Sequence, residues 1–137
     1  MHTAIFQAKF ENLDSIREFV GDGAKASGFN ESGIYAIQLA ADEACSNIIE
    51  HAYGNDESGL LECSYNFDGD FLTLTFKDYG CFFDPTTVPD PDLTSSLEER
   101  QIGGLGMFLI RNLMDDVQYE SQGKAGNVLT LKKRLSG

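Results

Sequence analysis

The chain has no tryptophan, three cysteines, three prolines, and only 10 Lys and Arg against 22 Asp and Glu in 137 residues. Each shortage excludes something. Affinity for nucleic acid comes from cations that displace phosphate counterions, so a net charge of −12 excludes DNA and RNA as general partners. An anionic membrane surface is excluded on the same ground. No apolar run approaches the ~20 residues of a membrane span, and Met1-His2-Thr3-Ala4 does not open a basic and then apolar leader. Cys45, Cys63 and Cys81 form no CxxC pair and are odd in number, which points to reduced thiols in a cytoplasm. What is present is ordinary for a globular protein. A chain this long buries roughly 70% of its unfolded surface, so one domain spanning 1–137 is expected to fold without a disulfide or structural metal.

Residues 4–10 read as an opening strand. Asn12 or Asp14 is placed to cap a helix with Leu13, Ile16, Phe19 and Val20 on its apolar face, ending near Gly21 or Gly23 or resuming to Gly28. Asn30 or Ser32 caps a longer helix with the stripe Ile34, Ile37, Ala41, Ala44 and Ile48, ended by Gly54 and Asn55. Alternation over 60–67 and 71–77 around Asp68-Gly69-Asp70 predicts a hairpin. From Asp78 to Gly103 no periodicity holds, and all three prolines fall there; about 85–103 reads as a lid. A helix through Met107, Ile110, Leu113 and Met114 follows, then strands near 117–121 and 127–134 joined by Gly123-Lys124-Ala125-Gly126. Strands and helices do not alternate strictly. The order predicts an α+β two-layer sandwich, a mixed, mostly antiparallel sheet with helices on one face.

Three segments are chemically unusual. Glu43 and Asn47 are four residues apart, so they share a face of the long helix at the edge of its apolar stripe. An Asn amide oxygen is a hard neutral ligand suited to Mg2+, which takes few protein ligands beside phosphate oxygens and water. A carboxylate one turn away can take a proton from a hydroxyl beside a γ-phosphate. Taken alone, such a pair is also what a solvated helix edge carries. In Asp78-Tyr79-Gly80-Cys81-Phe82-Phe83-Asp84-Pro85, a strand-end carboxylate followed by glycine can accept the exocyclic amine of adenine, with Gly80 letting backbone approach the flat base; the same letters also spell a plain turn. Gly103-Gly104-Leu105-Gly106 stands before a helix, where unpaired N–H groups and the dipole favour phosphate, although a flexible hinge uses the same residues.

Together, and in this order, the three segments resemble the boxes of the GHKL ATPases, the superfamily of gyrase B, the ninety-kilodalton chaperone, MutL and the sensor histidine kinases. The stretch from Ala40 through Asp42-Glu43-Ala44-Cys45-Ser46-Asn47 to His51-Ala52-Tyr53 is similar to the first box of the anti-sigma-factor serine kinases of the RsbW type. Asp78 to Pro85 and Gly104 to Val117 resemble the second and third. The resemblance covers nearly the whole chain and implies a Bergerat-type ATP-binding fold with Mg-ATP bound.

It further implies Glu43 as catalytic base, Asn47 as Mg2+ ligand, Asp78 on the adenine amine beside Gly80, and Gly104, Leu105 and Gly106 at the phosphates. Arg100 would meet the γ-phosphate from the lid. Family members usually place Thr on the strand behind the adenine; here either Asn127 or Thr130 takes that place. Being itself acidic, the protein would hold ATP by Mg2+ and oriented N–H groups and not by bulk field. The implied partners are a sigma factor and a small antagonist protein that is phosphorylated, and the implied assembly is a homodimer. Two other readings make different predictions. A non-catalytic, ATP-dependent partner-switching module binds nucleotide without transferring phosphate. An α+β domain with no nucleotide shows no ATP-dependent stabilisation.

Overall fold

The computed structural model describes residues 1–54, 56, 58–80 and 102–135. Five strands, β1 (His2–Gln7), β2 (Leu60–Phe67), β3 (Phe71–Asp78), β4 (Asp116–Ser121) and β5 (Asn127–Arg134), form one sheet in the order β1-β2-β3-β5-β4. All four pairings are antiparallel. Helices α1 (Leu13–Ser27), α2 (Glu31–Asn47) and α3 (Ile102–Leu113) share one hydrophobic core with the inward side chains of the sheet. The expected α+β architecture is thus present. Among the described residues no helix is long and apolar enough to cross a membrane.

Alternation decides which face of each strand is buried. On β3, Leu72, Leu74, Phe76 and Asp78 point into the core, while the residues between them are partly exposed. The outer face is polar: Thr3, Ser64, Thr75 and Thr130 are paired in one row across β1, β2, β3 and β5. An antiparallel sheet covered on one side only reads this way. The β2–β3 hairpin turns where the alternation stops. Asp68 Oδ1 accepts from the N–H groups of Asp70 and Phe71, both at 2.8 Å, and Gly69 takes φ 101°.

Several elements depart from the expectation, each for a packing reason. β1 stops at Gln7, and Phe10–Asn12 form a 3-10 turn. Asn12 does not cap α1 with its side chain; its Nδ2 donates to Gln7 O at 2.8 Å and ties the turn to the strand end. α1 runs through Gly21 and Gly23 to Gly28, whose φ of 102° closes it with a left-handed cap. The two internal glycines are there for space. A Cβ on Gly21 would strike the Gln38 amide, and one on Gly23 would stand 2.7 Å from the Tyr65 ring. Asn30 caps α2 as expected, accepting from Gly33 N at 2.9 Å. α2 does not run regularly to Gly54: it ends at Asn47 and passes into a π-helical turn, Ile48–Ala52.

The third segment is corrected too. Gly103 to Gly106 are not a turn ahead of a helix; α3 already begins at Ile102. In a first helical turn the N–H groups lack intrahelical acceptors in any case, so the glycines sit where their poor helix propensity costs least. It follows that the last residues of the stretch read as a lid, 102 and 103, are helical. The rest of it, with Arg100 and Cys81, lies outside the described residues.

Candidate functional site

The site is built where the C-terminal end of β3 meets the end of α2 and the start of β5. Asp78 closes β3 and is 3% exposed. Antiparallel register sets Asp78 directly opposite Asn127, although 49 residues separate them. Asn127, equally buried, donates from Nδ2 to Asp78 Oδ1 at 2.9 Å and to Gly80 O at 3.2 Å. Its own Oδ1 accepts from Ser121 Oγ at 2.8 Å. Asp78 Oδ1 also accepts from Gly80 N at 2.9 Å. One carboxylate oxygen is therefore held by two donors, and the other takes no hydrogen bond among the described residues. Burial pushes the Asp78 carboxyl above the usual carboxylate range, and the bonds from Asn127 and Gly80 pull it partly back.

Strand register sets the two candidates on β5 apart. Asn127, Leu129 and Leu131 face the core; Thr130, three residues from Asn127, lies on the opposite face, across from Thr75. Thr130 borders a surface depression with Gln118, Glu120 and Val128, away from Asp78. Asn127 is the residue at the Asp78 end.

Asn47 is the last α-helical residue of α2 and is 7% exposed. It lines a narrow cavity with Ala44, Ile48, Ala52, Asp78, Tyr119 and Leu129. Two of the residues expected to share a site, Asn47 and Asp78, are thereby brought to one crevice. The space left is about 10 Å³, room for about one water. Among the described residues Asn47 Nδ2 is buried there without a hydrogen-bond partner, and leaving such a group unpaired costs about 1–3 kcal/mol.

Glu43 stands one turn earlier on α2 and is partly buried, outside the lining of that cavity. Burial raises its pKa first, and the carboxylates of Asp42 and Glu50 add to the effect. Asp42 itself is salt-bridged: its Oδ2 accepts from Arg17 Nε at 3.1 Å, and Arg17 Nη1 reaches Asp14 at 2.9 Å. Cys45 is fully buried in the core, and its thiol is pushed well up by burial and by the neighbouring Cys63 thiol. His51 is exposed on the π-helical turn, with Nε2 3.8 Å from Glu50.

Gly80 has a structural task that the sequence did not reveal. A Cβ there would collide with the Ala52 carbonyl, whose carbon would lie 2.6 Å away. The glycine lets the Asp78 turn press against the end of the π-helical turn. Tyr53 was likewise hidden. Its hydroxyl accepts from Tyr79 N at 2.8 Å and donates to Leu60 O at 2.6 Å. Its only sequence cue was its place at the end of the first box.

Gly104, Leu105 and Gly106 lie in the opening turn of α3, which packs on α2. By position, the N–H groups of Ile102, Gly103 and Gly104 have no intrahelical acceptor.

Comparison with known proteins agrees with this arrangement. Residues 6–133 match the family model of the histidine kinase-like ATPase domain. The serine-protein kinase RsbW of Halalkalibacterium halodurans is 33% identical over 132 residues, covering 93% of this chain and 79% of that protein. The serine-protein kinase RsbW of Listeria monocytogenes (strain EGD-e) is 35% identical over 105 residues, 73% of this chain and 67% of that one. Among solved structures, the RsbU and RsbW domains of a Mycobacterium tuberculosis protein superpose on all of this chain with a TM-score of 0.64 at 19% identity, over 33% of that longer chain. The Acinetobacter baumannii histidine kinase AdeS superposes with a TM-score of 0.52 at 14% identity, over 69% of its chain. At these identities the superpositions speak for the fold.

Proposed function

The chain belongs to the histidine kinase-like ATPase family, in its RsbW-type serine-kinase branch, and from that membership we propose that it binds Mg-ATP in the crevice between Asn47 and Asp78. We propose further that it transfers the γ-phosphate to a serine or threonine of a small antagonist protein and sequesters a sigma factor, acting in the cytoplasm as a homodimer. The observation that carries the nucleotide reading is the Asp78 carboxylate. It is buried, one oxygen is anchored by Asn127 and Gly80, and the other, unbonded among the described residues, can accept from a ligand amine. Adenine presents such a donor at its exocyclic N6.

The residues present fit a Mg2+ ion held mainly by phosphate. Among the described residues no three His, Cys, Asp or Glu side chains cluster as a protein-only cage. Asn47 instead offers one buried side-chain amide at the crevice; its Oδ1 is a hard oxygen that suits an ion taking one or two protein ligands, and its Nδ2, unpartnered among the described residues, is a donor for a phosphate oxygen. Bound there, Mg2+ would neutralise charge on the phosphates. Asn47 would hold it, and the free N–H groups at the start of α3 would face the phosphates. Glu43 would take the proton of the attacking hydroxyl as its oxygen bonds to the γ-phosphorus and the bond to the β-phosphate oxygen breaks, releasing ADP. Arg100 would contribute from the lid.

Three measurements test this. ATP at 100 times its Kd should stabilise the fold by roughly 2.7 kcal/mol; an unchanged melting temperature removes the nucleotide reading. Incubation with Mg2+, γ-labelled ATP and candidate antagonist domains should label the partner, whereas binding without label identifies a switch that does not transfer phosphate. Asn47→Ala should weaken Mg-ATP more than Mg-free ATP in paired titrations. Equal loss for both would reduce Asn47 to a packing residue.

A further inference from the structure

Tyr53 stands just beyond the π-helical turn and touches three segments at once. Its ring packs where a Cβ on Gly59 would stand 2.6 Å away, so the residue before β2 must be glycine for the ring to lie flat. Its hydroxyl donates to Leu60 O at 2.6 Å, at the first residue of β2. The same oxygen accepts from Tyr79 N at 2.8 Å, in the turn between Asp78 and Gly80. Ala52, its chain neighbour, meets Gly80 backbone to backbone. A phenol is the right group for this place. It reaches across two segments, donates once and accepts once, and leaves neither the amide nor the carbonyl unpaired.

Among the described residues the hydrogen bonds that hold the Asp78 turn come from the Asn127 amide and the Asp78 to Gly80 bond on one side and from Tyr53, with Ala52 packed beside Gly80, on the other. Asn127 belongs to β5; Tyr53 and Ala52 follow directly on α2, the helix that carries Glu43 and Asn47. We infer that the Tyr53 hydroxyl is a positioning residue that fixes the adenine-binding turn to the end of the catalytic helix, so that the base end and the phosphate end of one nucleotide are set at a constant separation. This rests on Asp78 being the adenine acceptor.

The test compares ATP and GTP binding to the intact chain and to Tyr53→Phe, which removes a single oxygen. The expected result is an ATP Kd raised about five- to tenfold, the effect of one hydrogen bond, with GTP binding unmoved, so that the preference for ATP shrinks by the same factor. Amide exchange in the same variant should quicken at Tyr79 and stay unchanged along β3 and α2. Equal loss for both nucleotides, or an unaltered ATP Kd, overturns the inference, as does unchanged exchange at Tyr79. If the unsubstituted chain itself binds no ATP, the nucleotide reading falls first; if it binds ATP and Tyr53→Phe behaves identically, only the role of Tyr53 falls. Should the variant prove unstable, exchange in the unsubstituted protein still decides. A Tyr79 amide that exchanges as fast as an open loop means that the bond is not held.

Discussion

Glu43→Gln is expected to lower phosphotransfer by roughly 10²–10⁴-fold, the range for loss of a general base, while ATP binding stays close to that of the unsubstituted chain. The substitution keeps the shape of the side chain and removes only its ability to take a proton. Single-turnover transfer and equilibrium binding separate the two effects. A variant that still labels the partner at full rate would move the base elsewhere.

The environment of Glu43 adds a pH signature. Burial, then Asp42 and Glu50, raise its pKa in the folded protein. A base must be ionised to act, so transfer should decline as pH falls through a value above the ordinary glutamate range. Stability runs the other way. A group whose pKa is raised by folding favours the fold below its unfolded pKa, and that contribution is lost as pH rises through the folded value. Glu43→Gln should therefore be the more stable protein at neutral pH, with the gap closing in acid. Gain of stability with loss of activity is the usual mark of a functional carboxylate.

Asp78→Ala should cost ATP binding roughly 10- to 100-fold, the equivalent of one hydrogen bond to a charged group. It should also destabilise the ligand-free fold by about 1–3 kcal/mol, because Asn127 Nδ2 and Gly80 N lose their shared acceptor. Asp78→Asn separates the two losses. Its amide oxygen can still accept from Asn127 and Gly80, but its NH2 would face the adenine amine donor to donor. ATP binding should fall as in Asp78→Ala, while stability at neutral pH holds or rises, since burial disfavours the native charge. Titration calorimetry and chemical denaturation on both variants read this directly. Retained ATP affinity in Asp78→Asn would mean that the adenine lies elsewhere.

Local chemistry was open to reading in the sequence wherever it is periodic or confined to a few adjacent residues. The β2–β3 hairpin follows from alternation and from one Asp-Gly turn. The start of α2 follows from Asn30. What stayed hidden depends on residues far apart along the chain. Nothing in the spacing of Asp78 and Asn127 says that strand register sets them face to face, and so Thr130 stood equal with Asn127 until the pleat separated them. Gly21 and Gly23 resemble helix stops because the letters do not show the Gln38 and Tyr65 side chains that need their space. The same is true of Gly80 against Ala52. The glycines that open α3 looked like a turn because their propensity argues against a helix, and the start of a helix is where that penalty is least felt.

The sheet order has a consequence for how the protein is made. β5 comes after every other described strand in the chain, yet it lies between β3 and β4. Until it is inserted, β4 has no neighbour, and Asp78 lacks the amide that fixes its carboxylate. A nascent chain still missing those residues holds a complete α2 and a complete β2–β3 hairpin, but neither the strand that joins β3 to β4 nor the buried partner of Asp78.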